Sequence, residues 1–207
     1  MRDADFFRRW MTAATEVVER EADRLTELDS PIGDADHGSN LLRGFTAVRA
    51  ALEGEAPAAP GAVLQLAGRT LISTVGGASG PLYGTLLRRT GKELGEAAEV
   101  SDDDLRKALY VGVGAVAQLG GAAPGDKTML DALVPGVAAL STSYRAAGEA
   151  AENGARATVP MQARKGRASY LGERSIGHQD PGATSAALLL GALADVADAA
   201  DAPGAGA

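Results

Sequence analysis

With 207 residues, 45% of them hydrophobic, the chain has enough apolar side chain to bury one sizeable core and falls within the size of a single large domain. A net charge of −7 and only 4% aromatic residues exclude a general nucleic-acid surface, which needs a basic face and platforms for stacking bases. The absence of cysteine excludes disulfides, thiolate metal sites and cysteine nucleophiles.

The N-terminus carries Arg2, Asp3, Asp5, Arg8 and Arg9 and lacks the apolar core of a signal peptide. The longest apolar stretch, Ala186 to Ala194, is too short to span a bilayer, so a soluble, cytoplasmic protein without a membrane partner is expected. Helical periodicity runs through the chain, and no segment alternates β-branched and polar residues. Trp10, Ala14, Val17, Val18, Leu25 and Leu28 form an apolar stripe at helical spacing, and Leu41, Phe45, Val48 and Leu52 form a second. Ala56 to Gly61, with Pro57 and Pro60, reads as a flexible connection. A third helix is predicted from about Ala62 to Thr74, ending at Gly76 and Gly77.

Ser101 followed by Asp102, Asp103 and Asp104 predicts an N-cap with acids in the first turn, opening a helix to about Leu119. Another helix follows Asp126, with Pro135 inside its pattern as a kink. Tyr144 to Thr158 is helical by alanine propensity, and Asp180-Pro181 predicts the cap and first residue of a last helix reaching about Ala200. Residues 1–200 are thus expected to form one all-α domain of about eight helices, with 201–207 a disordered tail.

The unusual chemistry lies in the connections, where functional groups are commonly carried. Asp29-Ser-Pro-Ile-Gly-Asp-Ala-Asp-His-Gly38 holds three carboxylates and one of only two histidines. Turn formers alone account for its proline, glycines and serine. Three close Asp side chains, however, repel one another unless a cation neutralises them, and oxygen-only donors suit Mg²⁺. Ser73-Thr-Val-Gly-Gly-Ala-Ser-Gly-Pro81 is a Gly-rich turn between helices that lets backbone amides approach an anion. It matches neither a Walker A loop nor a Rossmann fingerprint.

Gly125-Asp-Lys-Thr-Met129, preceded by Gly120-Gly121, offers a glycine pair for a flat ring and a polarizable methionine to pack on it, though Met129 reads equally as core. The stretch Met161 to Gly182 reads as a long polar loop. In it Arg164, Arg167 and Arg174 are candidate phosphate forks and Lys165 a point charge. His178 reads as a hydrogen-bonding loop residue. Together these are the parts of a Mg-nucleotide site.

The segments Gly33-Asp-Ala-Asp-His-Gly38, Gly76-Gly-Ala-Ser-Gly-Pro81, Gly125-Asp-Lys-Thr-Met129 and Gly166-Arg-Ala-Ser-Tyr-Leu-Gly-Glu-Arg-Ser-Ile-Gly-His-Gln-Asp-Pro-Gly182 closely resemble the nucleotide-binding L subunits of dihydroxyacetone kinases. The resemblance runs from the first helix to the last. It implies a barrel of antiparallel helices with nucleotide held by the loops at one end, and magnesium bound by Asp29, Asp34 and Asp36. It further implies that His37, Gly38, Ser39 and Asn40 contact the nucleotide, Ala78 and Ser79 hold phosphate, and Gly120 and Met129 border the base. Arg167, Asp180, Pro181 and Gly182 would complete the pocket. Leu41-Leu42 departs from related chains, which often carry methionine there.

In this family a separate K subunit holds dihydroxyacetone on a histidine with no counterpart in His37 or His178. No catalytic residue of this chain's own is therefore expected. One branch of the family exchanges ATP as a substrate. The other retains ADP, converted to ATP by the phosphohistidine-carrying M subunit of the sugar phosphotransferase system, and the Gln162 to Gly172 run resembles that branch. A homodimer is the expected assembly. The alternatives are an ATP-dependent kinase subunit and a nucleotide-sensing protein acting on a transcription regulator. The ATP-binding domain of fatty-acid kinases shares the acidic loop but carries threonine where this chain has His37.

Overall fold

The computed structural model describes residues 1–202. Its helices are α1 (Ala4–Asp29), α2 (His37–Glu55), α3 (Pro60–Thr74), α4 (Ser79–Leu94), α5 (Asp102–Gly120), α6 (Leu130–Ala139), α7 (Tyr144–Ala157) and α8 (Pro181–Asp201). Extended structure among the described residues is one antiparallel pair, β1 (Arg2–Asp3) against β2 (Glu99–Val100), with Arg2 opposite Val100. The fold is all-α, as the periodicity implies.

Each helix packs on the next, and α8 closes back onto α1. Consecutive helices joined by short connections run antiparallel. The α1–α2, α3–α4 and α5–α6 connections therefore gather at one end of the ring, and the longer α7–α8 connection, residues 158–180, reaches the same end. The same topology brings the N-termini of α2, α4, α6 and α8 to that end.

One apolar cluster draws side chains from all eight α-helices. Phe6, Phe7, Trp10 and Met11 of α1 are at most 1% exposed, and burying each such side chain contributes about 1.5–3 kcal/mol. Trp10 Nε1 donates to the Leu189 carbonyl at 2.9 Å, tying α1 to α8. Glycines set the close approach of α3 and α4: a Cβ on Gly61 would stand 2.5 Å from the Gly91 carbonyl, and one on Gly91 2.4 Å from that of Gly61.

The caps follow their residue chemistry. Ser101 and Asp104 form a capping box on α5, and Asp180 accepts from the Ala183 amide at the head of α8, with Pro181 in its first turn. α1 begins at Ala4 because Asp3 caps it, ahead of the stripe that starts at Trp10. The expected flexible connection is shorter than the run to Gly61, since Pro60 and Gly61 already form the first turn of α3. Pro135 lies inside α6, which continues to Ala139.

Three expectations are corrected. The segment read as an open polar loop contains a 3-10 segment, Arg167–Ser175, broken at Gly172 with φ of 58°. Asp201 is not part of a loose tail. It ends α8, and its carboxylate takes the Arg2 guanidinium at 2.7 Å, which also donates to Asp102 at 2.8 Å. Of the rest of the expected tail, Ala202 is exposed and residues 203–207 lie outside the described residues. The last apolar stretch also belongs to a longer element: α8 has the length and composition to cross a bilayer, and 67% of its most apolar window is buried in the protein.

Candidate functional site

The four connections at one end of the ring enclose a cavity of about 560 Å³. His37, Ser79, Leu130 and Pro181, at the starts of α2, α4, α6 and α8, all line it. Four helix N-termini thus bring partial positive charge to one cavity, a setting for anionic groups.

Beside them stands an acidic cluster. One carboxylate oxygen from each of Asp29, Asp34 and Asp36 lies within 4.8 Å of the other two. Asp29, buried at the end of α1, accepts from the amides of Asp36 (3.0 Å) and His37 (3.3 Å), so the start of α2 fixes its carboxylate. The loop must pass tightly over Asp29. A Cβ at position 33 would stand 1.9 Å from Asp29 Oδ1, which only Gly33 avoids, and Ala35 takes the left-handed conformation with φ of 59°. The donor set is oxygen only, and it fits a hard divalent cation such as Mg²⁺. The guanidinium of Arg167, reaching over from the 3-10 segment, meets Asp34 at 2.9 Å, with the Arg167 side chain largely in solvent and that of Asp34 partly so.

The His37 ring lies between Ser79 Oγ, 3.2 Å from Nδ1, and Ser185 Oγ, 2.9 Å from Nε2. Burial lowers its pKa, opposed by Asp29, Asp36 and the Pro181 carbonyl. Ser185 in turn bonds the hydroxyl of Tyr83 at 2.6 Å, and burial raises the pKa of that phenol. Asn40 is oriented by Arg43, which donates to its Oδ1 at 2.7 Å.

On the far wall, Asp131 accepts from the amides of Gly125 and Thr128, shaping the α5–α6 connection, and Lys127 is 1% exposed with φ of 62°. Burial lowers the Lys127 pKa while Asp180 acts to raise it. Burial pushes the Asp180 carboxyl up to about 7, against the Ala183 amide and the Lys127 ammonium, with Asp131 and Asp29 adding to the push. Leu82, Val116, Leu119 and Met129 supply an apolar wall.

Of the residues singled out from sequence, Asp29, Asp34, Asp36, His37, Asn40, Ala78, Ser79, Gly120, Met129, Arg167, Asp180, Pro181 and Gly182 line this one cavity. Gly38 and Ser39 do not. Gly38 is pressed against α1, where a Cβ would stand 1.9 Å from the Ala22 carbonyl, and the exposed Ser39 donates to the Asp36 carbonyl. Lys165 lines the cavity, whereas Arg164 and Arg174 are exposed outside it, because the chain turns at Gly166 and Gly172. Lys127, Tyr83 and Ser185 were not anticipated. A lysine inside a Gly-rich motif was the available signal for the first. Nothing local marks the other two, whose partners lie on different helices.

The DAK2 domain family matches residues 31–195. The chain is 45% identical over 195 residues to the ADP-binding subunit DhaL of the PEP-dependent dihydroxyacetone kinase of Escherichia coli (strain K12), covering 89% of this chain and 93% of that one. It is 40% identical over 202 residues to the ADP-binding subunit DhaL of PEP-dependent dihydroxyacetone kinase 2 of Listeria innocua, covering 92% and 94%. Among solved structures, the dihydroxyacetone kinase of C. freundii in complex with AMP-PNP and Mg²⁺ superposes with a TM-score of 0.70 at 27% identity, over 93% of this chain and 33% of that one. The chain thus spans about a third of that kinase's length. Since the family match takes in the loops that line the cavity, and near-full-length relatives share it, the chain belongs to the DAK2 domain family.

Proposed function

We propose that this chain is the ADP-binding subunit of a phosphoenolpyruvate-dependent dihydroxyacetone kinase, acting in the cytoplasm. It would take a phosphoryl group from the phosphohistidine-carrying M protein of a phosphotransferase system. It would deliver that group to dihydroxyacetone held on a separate K subunit. The observation that carries this reading is the sharing of one cavity by an oxygen-only acidic cluster and four helix N-termini. The names of near-full-length relatives as ADP-binding subunits agree with it.

Phosphoryl transfer depends mainly on positioning and on neutralising charge. Magnesium held by Asp29, Asp34 and Asp36 would supply neutralisation at the phosphates. The residues of the chain do the rest. Ala78 and Ser79, at the head of α4, offer donors to the phosphate chain, with His37 behind the Ser79 hydroxyl. Arg167 exchanges its contact with Asp34 for phosphate oxygens, a fork suited to them. Gly120 lets a flat base approach the backbone beside Met129, and the first turn of α8, Asp180 to Gly182, closes the pocket. The K subunit and the M protein are the partners this reading entails; a homodimer is the assembly expected with it, and a transcription regulator belongs to the alternative, nucleotide-sensing reading.

The test is Asp34→Asn. It is expected to lower Mg·ADP retention and phosphotransfer with the partner subunits together, by at least tenfold each. Wild-type values for both would remove the metal role.

A further inference from the structure

Behind the Ser79 hydroxyl runs an unbroken line of polar contacts into the core. Ser79 Oγ lies 3.2 Å from His37 Nδ1, His37 Nε2 lies 2.9 Å from Ser185 Oγ, and Ser185 Oγ lies 2.6 Å from Tyr83 Oη. Tyr83 is 2% and Ser185 3% exposed, so the inner half of this line is buried. The Gly182 carbonyl accepts at the end of the line, 3.1 Å from Ser185 Oγ and 3.3 Å from Tyr83 Oη.

A neutral imidazole donates from one nitrogen and accepts at the other, so the line has two senses. In the inward sense the Ser79 hydroxyl donates to Nδ1, Nε2–H donates to Ser185, Ser185 donates to Tyr83, and the tyrosine proton ends on the Gly182 carbonyl. In the outward sense Tyr83 donates to Ser185, Ser185 donates to Nε2, and Nδ1–H donates to Ser79 Oγ. Only then is the Ser79 proton free to point into the cavity. Phosphate oxygens accept and do not donate, so an anion at the head of α4 favours the outward sense.

Resting on the nucleotide reading above, we infer that Tyr83 and Ser185 are positioning residues for phosphate: through His37 they turn the Ser79 hydroxyl outward as a donor, and the bound anion selects that sense. Ser185 does not line the cavity, and Tyr83, 2% exposed, only borders it. Tyr83 acts on the Ser79 hydroxyl through the two side chains between, Ser185 and His37.

The test is a double-mutant cycle on the full chain, read as ADP affinity by calorimetry at fixed Mg²⁺. Tyr83→Phe keeps the buried ring and Ser185→Ala breaks the line at its middle; each is expected to weaken ADP about tenfold, as is Ser79→Ala. The decisive variant combines Tyr83→Phe with Ser79→Ala. Its expected loss is no greater than that of Ser79→Ala alone, because both changes remove one donor. Additive losses of about a hundredfold, or a wild-type affinity in any single variant, overturn the relay. The ¹⁵N shifts of His37, assigned with His178→Gln, give a second readout: Nε2 protonated without nucleotide and Nδ1 protonated with it. A tautomer indifferent to ADP overturns the proposal. If the wild-type chain binds no ADP, the nucleotide reading itself falls and takes this proposal with it, whereas tight wild-type binding with additive losses removes the relay alone.

Discussion

The buried ammonium of Lys127 donates to the Ser175 carbonyl at 2.6 Å and to the Met161 carbonyl at 3.0 Å. Those two acceptors bracket the segment that carries Arg167, and the Arg164 amide adds a bond to the Asp126 carbonyl at 3.1 Å. Lys127 therefore pins that segment to the α5–α6 connection from below. Lys127→Met removes a charged donor and leaves two carbonyls short of a partner. It is expected to lower stability by about 2–4 kcal/mol in urea unfolding. ADP affinity is expected to fall with it, since Arg167 loses its footing. A fully stable Lys127→Met protein would contradict the pinning role.

Arg167 itself should behave differently. Its contact with Asp34 at 2.9 Å joins side chains that are 71% and 37% exposed, and such pairs contribute about 0–1 kcal/mol. Arg167→Ala is therefore expected to leave the melting temperature nearly unchanged while weakening ADP about tenfold or more. The two variants on one segment then separate holding the fold from holding the ligand, by thermal melts and calorimetry on the same samples.

The Asp180 carboxyl, pushed up to about 7 from 3.8, gives the metal-free protein a pH dependence of definite sign. Between about pH 4 and pH 7 the folded protein holds a proton that the unfolded chain gives up. The contribution to stability is complete below pH 4 and is lost as the pH rises through 7, to an extent on the order of 4 kcal/mol. Asp180→Asn retains an acceptor for the Ala183 amide and cannot ionise. Its melting temperature is expected to fall less than that of the wild type between pH 5 and pH 8. Parallel curves would contradict the assignment.

Gly33→Ala tests the acidic loop without touching a carboxylate. The added Cβ would stand 1.9 Å from Asp29 Oδ1, so the loop or the carboxylate must move. Magnesium-dependent ADP binding is expected to drop by at least tenfold while far-ultraviolet circular dichroism stays that of an all-α protein. Unchanged magnesium dependence would dissociate the Asp29 geometry from the site.

Legibility in the sequence followed the range of the interactions. The α5 cap at Ser101 and the α8 start at Asp180-Pro181 are local codes, readable over a few residues. The proximity of Asp29, Asp34 and Asp36 was readable for the same reason. Arg164 and Arg174 look equivalent to Arg167 in a run of basic residues, yet left-handed turns at Gly166 and Gly172 leave them outside the cavity. Lys127 reads as a surface lysine until its carbonyl partners, more than thirty residues away, are in place. The pairing of Arg2 with Asp201 joins the two ends of the described chain and has no local trace at all.

The measurement that bears most directly on the central claim is native mass spectrometry of the freshly purified chain, run beside a sample stripped with a magnesium chelator. A retained-cofactor subunit is expected to carry ADP and magnesium through purification and to lose both to the chelator. A protein that emerges empty and binds ATP only when it is supplied would contradict retention and point to the ATP-exchanging branch. A protein that binds no nucleotide in either condition would contradict the assignment of the cavity.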